Sequence, residues 1–454
     1  MCHNIYVIER QRVARAMAAE EDAFVRRHPK SQRAYEAAKQ SLIGGVPMPW
    51  MKRWAGPFPI SIDQASGARF TDIDGNEFVD FCLGDTGSMT GHAVKEINAA
   101  IVQQLERGST TMLPSQDATW VGDELTRRFG LPKWQFSISA TDANRFVLRI
   151  ARHITKRPKV LVHDWCYHGT VDETLVIADP EMRTISRHGA IGPQVHPSLT
   201  TRVVPFNDLE NLEKQLSFGD VACMLIEPAL TNIGIVLPEP GYLDGVRRLT
   251  RKHGVILIID ETHTICAGPG GATKLWNLEP DILVIGKTIG GGIPVAAYGV
   301  TQEIARQIAV PLDSHDADVS GLGGTLAGSV LAMAAVRATL THALLPEQFD
   351  KTIALAERWT DGVDQAVRAK KLNWSVQRLG CRAEYWFTTA PRNGAEAAAG
   401  VDPDLETFMH LFALNRGILL TPFHNMALIS PFHTAHDIDL HTAVFSEALD
   451  ALHK

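Results

Sequence analysis

Two short apolar segments, each followed by polar residues and glycines, constrain the fold of this chain more than any other feature. Residues 255–259 precede Asp260, and residues 282–285 precede Lys287 and the glycines at 290–292. Unbroken apolar runs of this length are typical of strands buried on both faces of a parallel sheet. Open α/β sheets bind ligands beyond the carboxyl ends of their strands. The pattern therefore predicts an α/β fold with Asp260 and Lys287 at a ligand site.

Asp260 and Lys287 suit a cofactor that has both a basic ring nitrogen and an aldehyde, as pyridoxal phosphate (PLP) does. Lys287 would form a Schiff base with the aldehyde, and Asp260 would keep the ring nitrogen protonated so that the ring withdraws electrons. Taken singly, Asp260 is more simply explained as a turn-capping residue and Lys287 as a solvated loop lysine. The pair, together with the glycines, favours the cofactor.

Other segments show the periodicity of helices and strands. Residues 10–41 are charged and helix-periodic, and residues 221–260 read as strand, loop, helix and strand. The second pattern predicts right-handed βαβ units and a mostly parallel sheet. Residues 376–387 alternate as one strand does, and residues 435–453 have the pattern of a last helix.

Three segments resemble the class III (fold type I) PLP-dependent aminotransferases, in the branch that contains glutamate-1-semialdehyde aminomutase and the β-amino-acid and amine transaminases. They are DET at 260–262, PDILVIGKTIGGGIPVAAYG at 280–299 and GTLAGSVLAMAAVRATL at 324–340. The resemblance implies a large domain with a mostly parallel seven-stranded sheet and a small α+β domain built from both chain ends. We expect the N-terminal helices and first part of the small domain at 1–108, the large domain at 109–335 and the rest of the small domain at 336–454.

The resemblance also implies a phosphate site at the start of a helix. Ser139, Ala140 and Thr141 precede a helix pattern, where free N–H groups and the helix dipole favour an anion. The family has glycine at the position of Ala140, so the backbone there has to accept alanine. A plain helix cap at Ser139 is the simpler explanation, and the local sequence alone does not decide between the two.

Other cofactor contacts follow from the same resemblance. Tyr167 would stack on the cofactor ring, although a core tyrosine at a strand end is a plausible alternative. Asn232 would contact the phenolic oxygen, and Thr262 would take the place of a valine on the opposite face of the ring. Thr325 would reach the phosphate of the partner chain in a homodimer with shared active sites. His168 and His263 are candidate bases, but the family's chemistry assigns the proton transfer to Lys287.

Composition excludes several other classes of protein. The formal net charge is −7, and no basic run or interleaved aromatic patch indicates nucleic-acid binding. The six cysteines have no paired spacing, which argues against a disulfide framework or a zinc site. No apolar run approaches membrane-spanning length, and the first residues lack the apolar core of an export signal. We expect a cytoplasmic protein that binds no metal, membrane or nucleic acid.

The substrate is harder to infer. Relatives that act on carboxylates carry an arginine a few residues after a Gly-Gly-Val sequence, and Met51 falls at that position. Arg53 lies two residues away and would need a loop shift to replace it. The candidate substrate residues lie in two loops, and most of them are apolar: Trp50, Met51, Arg53, Phe423 and His424.

We therefore expect an aminotransferase that takes its amino group from an amine donor, bulky or apolar, without a carboxylate near the reacting carbon. Its acceptor would be a small keto acid such as pyruvate, whose carboxylate either Arg53 or Arg382 could bind. The alternative is a β-amino-acid aminotransferase or a glutamate-1-semialdehyde-type aminomutase. A non-catalytic binding protein of the same fold is the hypothesis from another class, and the presence of both Asp260 and Lys287 argues against it.

Overall fold

The computed structural model describes residues 8–192, 195–312 and 318–453, and these divide into two compact units. The first unit comprises the chain up to Val94, Glu347–Ala390 and the chain from Gly400 onward. The second comprises Lys95–Pro346 and the short segment Pro391–Ala399. Each unit has its own sheet and its own buried residues.

The described helices, numbered in chain order, lie in both units. They are α1 (Arg10–Arg27), α2 (Pro29–Ala38), α3 (Lys95–Leu105), α4 (Gln116–Phe129), α5 (Ala140–Thr155), α6 (Leu209–Leu216), α7 (Tyr242–His253), α8 (Gly271–Leu275), α9 (Gln302–Leu312), α10 (Val330–His342), α11 (Pro346–Ala369), α12 (Gly394–Ala399), α13 (Pro403–Leu414) and α14 (Ala435–His453).

The described strands are numbered in the same way. They are β1 (Ile62–Ser66), β2 (Arg69–Asp72), β3 (Glu77–Asp80), β4 (Lys133–Ser137), β5 (Lys159–His163), β6 (Val176–Ala178), β7 (Thr184–Ser186), β8 (Thr201–Val204), β9 (Val221–Ile226), β10 (Ile256–Asp260), β11 (Ile282–Ile285), β12 (Ala296–Val300), β13 (Ser375–Leu379), β14 (Arg382–Trp386), β15 (Ile418–Leu419) and β16 (Met426–Leu428).

The second unit is built around a seven-stranded sheet with the order β4-β12-β11-β10-β9-β5-β8. Strand β12 is antiparallel to both of its neighbours, and the other adjacent pairs are parallel. Every residue of β9, β10, β11 and β12 is buried, as the unbroken apolar segments predict for strands covered on both faces. The expected α/β fold with a mostly parallel seven-stranded sheet is confirmed.

The unit boundaries differ from the expected domain boundaries. Helix α3 contacts α10, and α10 also contacts α4, so these helices belong to the second unit. All of α3 and the end of α10 were expected outside the large domain, whereas α4 was expected inside it. The second unit therefore begins at Lys95, rather than after residue 108, and extends to Pro346, rather than to residue 335. Proline fits the first turn of α11, where no intrahelical N–H is needed, so a new helix begins there.

The first unit contains two smaller sheets, with the orders β1-β2-β3-β15 and β13-β14-β16. The single strand predicted at 376–387 is wrong, because the segment forms the hairpin β13-β14, in which Leu379 pairs with Arg382. Gly380 turns the chain with a φ of +57°, a conformation that glycine adopts without steric cost. A sequence that alternates on both sides of a two-residue turn resembles one continuous strand.

The packing of the first unit joins the two chain ends. Residues from α1 and α2, strands β2 and β3, and helix α13 share one apolar cluster: Phe24, Tyr35, Val46, Phe58, Phe70, Phe78, Leu411 and Leu414. Helix α14 has the bounds that the sequence pattern predicts. Within the described ranges, no helix combines the length and the apolar character needed to cross a membrane.

Candidate active site

Two adjacent parallel strands bring Asp260 and Lys287 to the same edge of the sheet. Asp260 is the last residue of β10 and pairs with Val284 of β11, so Lys287 lies just beyond the end of the neighbouring strand. Lys287 has a φ of +52°, in the left-handed region that non-glycine residues rarely occupy. Such strained backbone is concentrated at functional sites, and it turns the chain sharply after β11.

Asp260 is a buried carboxylate with three hydrogen-bond donors. Its Oδ1 accepts from the Thr262 backbone N–H at 3.0 Å, and its Oδ2 accepts from Asn144 Nδ2 at 2.9 Å. His168 Nδ1 lies 3.0 Å from the same Oδ2. Burial raises the pKa of the Asp260 carboxyl, but the hydrogen bonds and the charge of His168 outweigh it and hold this pKa at about 2. Asp260 therefore carries a negative charge at the end of an apolar strand.

His168 carries the complementary charge. Burial lowers its pKa, but interactions with Cys166 and Asp260 outweigh burial and raise the pKa to about 10. The imidazole thus donates to Asp260 in its charged form, which fixes the direction of the carboxylate. A buried charge pair of this kind costs free energy to assemble. Removing one partner leaves the other charge buried without compensation, which strongly destabilises the folded protein.

The start of helix α5 lies against the end of β11. A side chain at Gly286 would place its Cβ 3.1 Å from the Ala140 Cβ, so glycine permits this close approach. Ser139 caps the helix and accepts from the Asp142 N–H at 3.3 Å. Ser139 is therefore the cap of this helix, and Ala140 is its first residue, where alanine replaces glycine without a left-handed backbone.

The loop after β5 packs closely on the same helix start. A Cβ at Gly169 would stand 2.1 Å from the Thr141 hydroxyl oxygen, and this hydroxyl accepts from the Thr170 N–H at 3.1 Å. Tyr167 in this loop donates its backbone N–H to the buried Glu227 carboxylate at 3.2 Å. Asn232 donates from Nδ2 to the Trp165 carbonyl at 3.4 Å. The predicted cofactor residues on these loops thus lie in the unit that contains Asp260 and Lys287.

These residues fit PLP. Asp260 supplies a buried anion for a protonated ring nitrogen, and the start of α5 presents N–H groups suited to a phosphate. Thr288, directly after Lys287, is buried, and within the described residues its hydroxyl oxygen has no hydrogen-bond partner. An unsatisfied buried hydroxyl is costly unless a ligand engages it, and this one belongs to the turn that carries Lys287.

His263, one of the two candidate bases, lies beside Lys287. His263 Nε2 lies 2.7 Å from Lys287 Nζ, within hydrogen-bond distance. The signal that could have found it is position, because His263 follows Asp260 by three residues and so lies at the same sheet edge as Lys287. Thr325, which was expected to reach a partner chain, is exposed in the turn before α10.

The candidate substrate residues all belong to the first unit. Trp50 and Met51 lie in the 3-10 turn Pro49–Lys52, and both are about two-fifths exposed at 39% and 42%. The ring of Phe423 meets that of Trp50 edge to face, with the centroids 5.5 Å apart. Arg53 is exposed after the turn, and His424 Nδ1 lies 4.0 Å from a Glu384 carboxylate oxygen. The two loops thus meet at the rings of Trp50 and Phe423.

Arg382, a candidate for binding the acceptor carboxylate, is 1% exposed. Its Nη1 lies 2.9 Å from Met426 Sδ, and its Nη2 donates to the Thr86 hydroxyl. Its Nη1 is also 3.8 Å from Asp85. The guanidinium is therefore engaged in contacts inside the first unit. Within the described ranges, no group of three histidine, cysteine, aspartate or glutamate side chains could hold a metal ion.

Comparisons with known proteins identify the family of this chain. A family model for class-III aminotransferases matches residues 50–449. Glutamate-1-semialdehyde 2,1-aminomutase 2 of Brevibacillus brevis is 33% identical over 422 residues, which cover 90% of this chain and 96% of that protein. An omega-transaminase from Sphaerobacter thermophilus has a TM-score of 0.84 and 26% identity, covering 93% of this chain and 98% of that one.

A glutamate-1-semialdehyde-aminomutase from Pseudomonas aeruginosa PAO1 is similar over nearly the full length. Its structure has a TM-score of 0.96 and 46% identity, covering 98% of this chain and 100% of that one. A lysine-to-alanine variant from the same organism, solved in complex with PMP, has a TM-score of 0.97. The chain described here, with Asp260 and Lys287 at the ends of adjacent parallel strands, belongs to the class III aminotransferases, PLP-dependent enzymes of fold type I.

Proposed function

We propose that this enzyme moves an amino group within or between carboxylate-bearing substrates, in the manner of the glutamate-1-semialdehyde aminomutases. The observation that carries the proposal is the near-identical fold, over almost the whole chain, of the Pseudomonas aeruginosa aminomutase. The curated aminomutase of Brevibacillus brevis, similar over most of both chains, supports the same activity. This replaces the amine donor expected from the sequence as the first candidate.

Each residue of the sheet edge has a role in this proposal. Bound PLP supplies an electron sink for carbon–hydrogen bond breaking next to the amino group. Lys287 holds the cofactor and moves the proton at its Nζ atom, and Asp260 keeps the ring nitrogen protonated. The start of α5, with Ser139, Ala140 and Thr141, binds the phosphate through backbone N–H groups and hydroxyls.

The remaining contacts shape the site around the ring. Tyr167 and Thr262 would cover its two faces, and Asn232 would contact its phenolic oxygen. Thr325 would complete the phosphate site of a second copy, so we propose a homodimer with shared sites. We also propose a cytoplasmic location, because the six cysteines of the sequence show no paired spacing.

A second candidate function is transfer from a plain amine to a small keto acid such as pyruvate. The observation that favours it is the exposed aromatic pair Trp50 and Phe423, which lies beside Met51. Met51 occupies the position at which carboxylate-binding relatives carry an arginine. An apolar surface of this kind suits an aryl or alkyl group better than a carboxylate. Arg53, exposed two residues after Met51, is the residue that would have to bind a carboxylate under the first candidate.

A half-reaction assay separates the two functions. Amino donors are added singly to the cofactor-loaded protein without an acceptor, and loss of the visible cofactor band is followed. The panel contains an α-amino acid, a β-amino acid, an aryl-alkyl amine and a long-chain amine. Conversion of glutamate 1-semialdehyde to the isomer with the amino group moved from carbon 2 to carbon 1 is measured in parallel.

The first candidate predicts that isomer and bleaching by carboxylate-bearing donors. Bleaching by the plain amines alone, without isomerisation, would establish the second candidate instead. Lys287→Ala is expected to abolish bleaching with every donor, whereas Lys274→Ala, at an exposed lysine of α8, is the matched control and keeps it. Unchanged turnover by Lys287→Ala would contradict both functions.

A further inference from the structure

His263 and Lys287 approach each other from two different turns. The imidazole Nε2 and the lysine Nζ are 2.7 Å apart, and both residues are partly buried. His263 lies just after β10 and Lys287 just after β11, which are adjacent parallel strands. The contact joins residues 24 positions apart in the chain through the register of the sheet.

The turn that carries His263 is anchored by a buried acid. Glu261 accepts from the Thr264 hydroxyl at 2.5 Å, from the Ala272 N–H at 3.2 Å and from the Thr273 N–H. These bonds tie the turn after β10 to helix α8. On the other side, the left-handed backbone of Lys287 fixes where its side chain begins. Both partners of the contact are thus placed by groups that do not depend on the contact itself.

The direction of the hydrogen bond follows from the chemistry of the two groups. A protonated lysine amine only donates, so Nε2 of a neutral imidazole has to accept. Acceptance by Nε2 orients Nζ, because a hydrogen bond restricts the directions in which the donor atom can point. The proton that Lys287 takes up remains on Nζ, and no bond to His263 forms or breaks.

We propose that His263 is a positioning residue for Lys287, whose Nε2 accepts a hydrogen bond from the Nζ atom and so aims that atom. The inference rests on the role of Lys287 in the proposed function. Neither the family resemblance nor the sequence pattern assigned this role to His263. It adds an acceptor to the chemistry that Lys287 performs, and its geometry needs only this chain.

Lysine reactivity in the cofactor-free protein tests the contact directly. The variants are His263→Met, which cannot accept through nitrogen or oxygen, His263→Asn, whose amide is too short to reach, and His263→Gln, whose amide oxygen can accept. His188→Gln, at an exposed histidine of the same unit, is the control. Acylation of Lys287 is timed by peptide mass spectrometry at fixed pH, with Lys156 and Lys214 in the same digest as references.

The acceptor holds Nζ in one position and occupies one of its hydrogen bonds, so loss of the acceptor makes the amine more available to the reagent and speeds the reaction. We expect Lys287 labelling to rise about 2- to 10-fold in His263→Met and His263→Asn, which corresponds to the loss of one hydrogen bond. His263→Gln and His188→Gln should label at the wild-type rate. Wild-type labelling of Lys287 in both His263→Met and His263→Asn, with unchanged reference lysines, would overturn the proposal.

The half-reaction then tests the catalytic consequence. In the loaded protein we expect the maximal rate of bleaching by a reactive donor to fall about 10- to 100-fold in His263→Met, with a nearly unchanged donor KM and recovery in His263→Gln. A changed KM with an unchanged maximal rate would overturn the role in proton handling. If no donor bleaches the wild type, the proposed function fails, while the labelling result still decides the contact.

Discussion

Asp260 shows how a single side chain is prepared for its chemistry. Three donors surround a carboxylate that is 5% exposed, and together they keep it charged where burial alone would neutralise it. Asn144 donates from helix α5, and His168 approaches from the loop after β5, so two elements hold one carboxylate. Fixed in this way, the charge needs little rearrangement when a protonated ring nitrogen binds.

Replacing Asp260 with asparagine removes the charge and keeps the shape. We expect the half-reaction to slow by about 10²- to 10³-fold, the effect of losing one preorganised electrostatic contact. The rate of band bleaching measures it, with Asp244→Asn on the exposed face of α7 as the control. A wild-type rate in folded Asp260→Asn would show that the ring nitrogen has another partner.

Glu406 on α13 gives a prediction about pH and stability. Burial and the nearby Asp402 raise the pKa of Glu406 to about 7, above its ordinary value of 4.5. The folded state therefore prefers the protonated form, and its stability falls as pH rises from about 4.5 to about 7. Above that range the charge costs on the order of 1–3 kcal/mol.

Glu406→Gln removes this cost. We expect it to raise Tm relative to wild type at pH 8 and to leave Tm nearly unchanged at pH 4.5. The exposed Glu347→Gln serves as the control and should change little at either pH. An equal change of Tm at both pH values would mean that the partial burial of Glu406 and the charge of Asp402 do not raise its pKa.

Helix α5 is the element that links the sheet to the phosphate site. Its first residues lie against the end of β11, and its last residue, Thr155, is followed by Lys156 in the left-handed conformation with a φ of +58°. Glycine is the residue that adopts this conformation most readily at the end of a helix. Lys156, the residue that follows the helix, therefore has a strained backbone because it carries a side chain.

Lys156→Gly should relieve that strain. We expect the free energy of unfolding to rise by about 0.5–1 kcal/mol, seen as a small increase in Tm. Thr155→Gly is the matched comparison, because Thr155 is helical and its hydroxyl donates to the Ala151 carbonyl. Thr155→Gly should lower Tm. If Lys156→Gly also lowered Tm, the result would contradict the assignment of Lys156 as a left-handed cap.

At this scale the sequence predicts strongly periodic elements better than turns. The apolar segment 282–285 coincides with β11, and α14 has its predicted bounds, because burial on both strand faces or on one helix face leaves a clear pattern. The hairpin β13-β14 was missed because the alternation of its two strands continues across the turn at Gly380. The contact between His263 and Lys287 was missed because it depends on sheet register, which local pattern does not contain.

The whole molecule distributes its chemistry over two units. The second unit holds Asp260, Lys287 and the start of α5. Its sheet is mostly parallel, as the βαβ units predicted from the sequence require. The first unit, built from both chain ends, holds Trp50, Met51 and Phe423. The boundaries between the two units could not be predicted from the sequence. Helices α3 and α10 belong to the second unit because of the helices they pack against, and their own sequence patterns do not contain this information.

The central claim is that PLP is attached at Lys287. The most direct test reduces the cofactor-loaded protein with borohydride, which makes the link between cofactor and lysine permanent, and then locates the added mass by peptide mass spectrometry. We predict that the added mass is found on Lys287 alone, and that the same peptide carries no added mass in Lys287→Ala. Added mass on another lysine in the wild type, or none at Lys287 while the cofactor band is present, would contradict it.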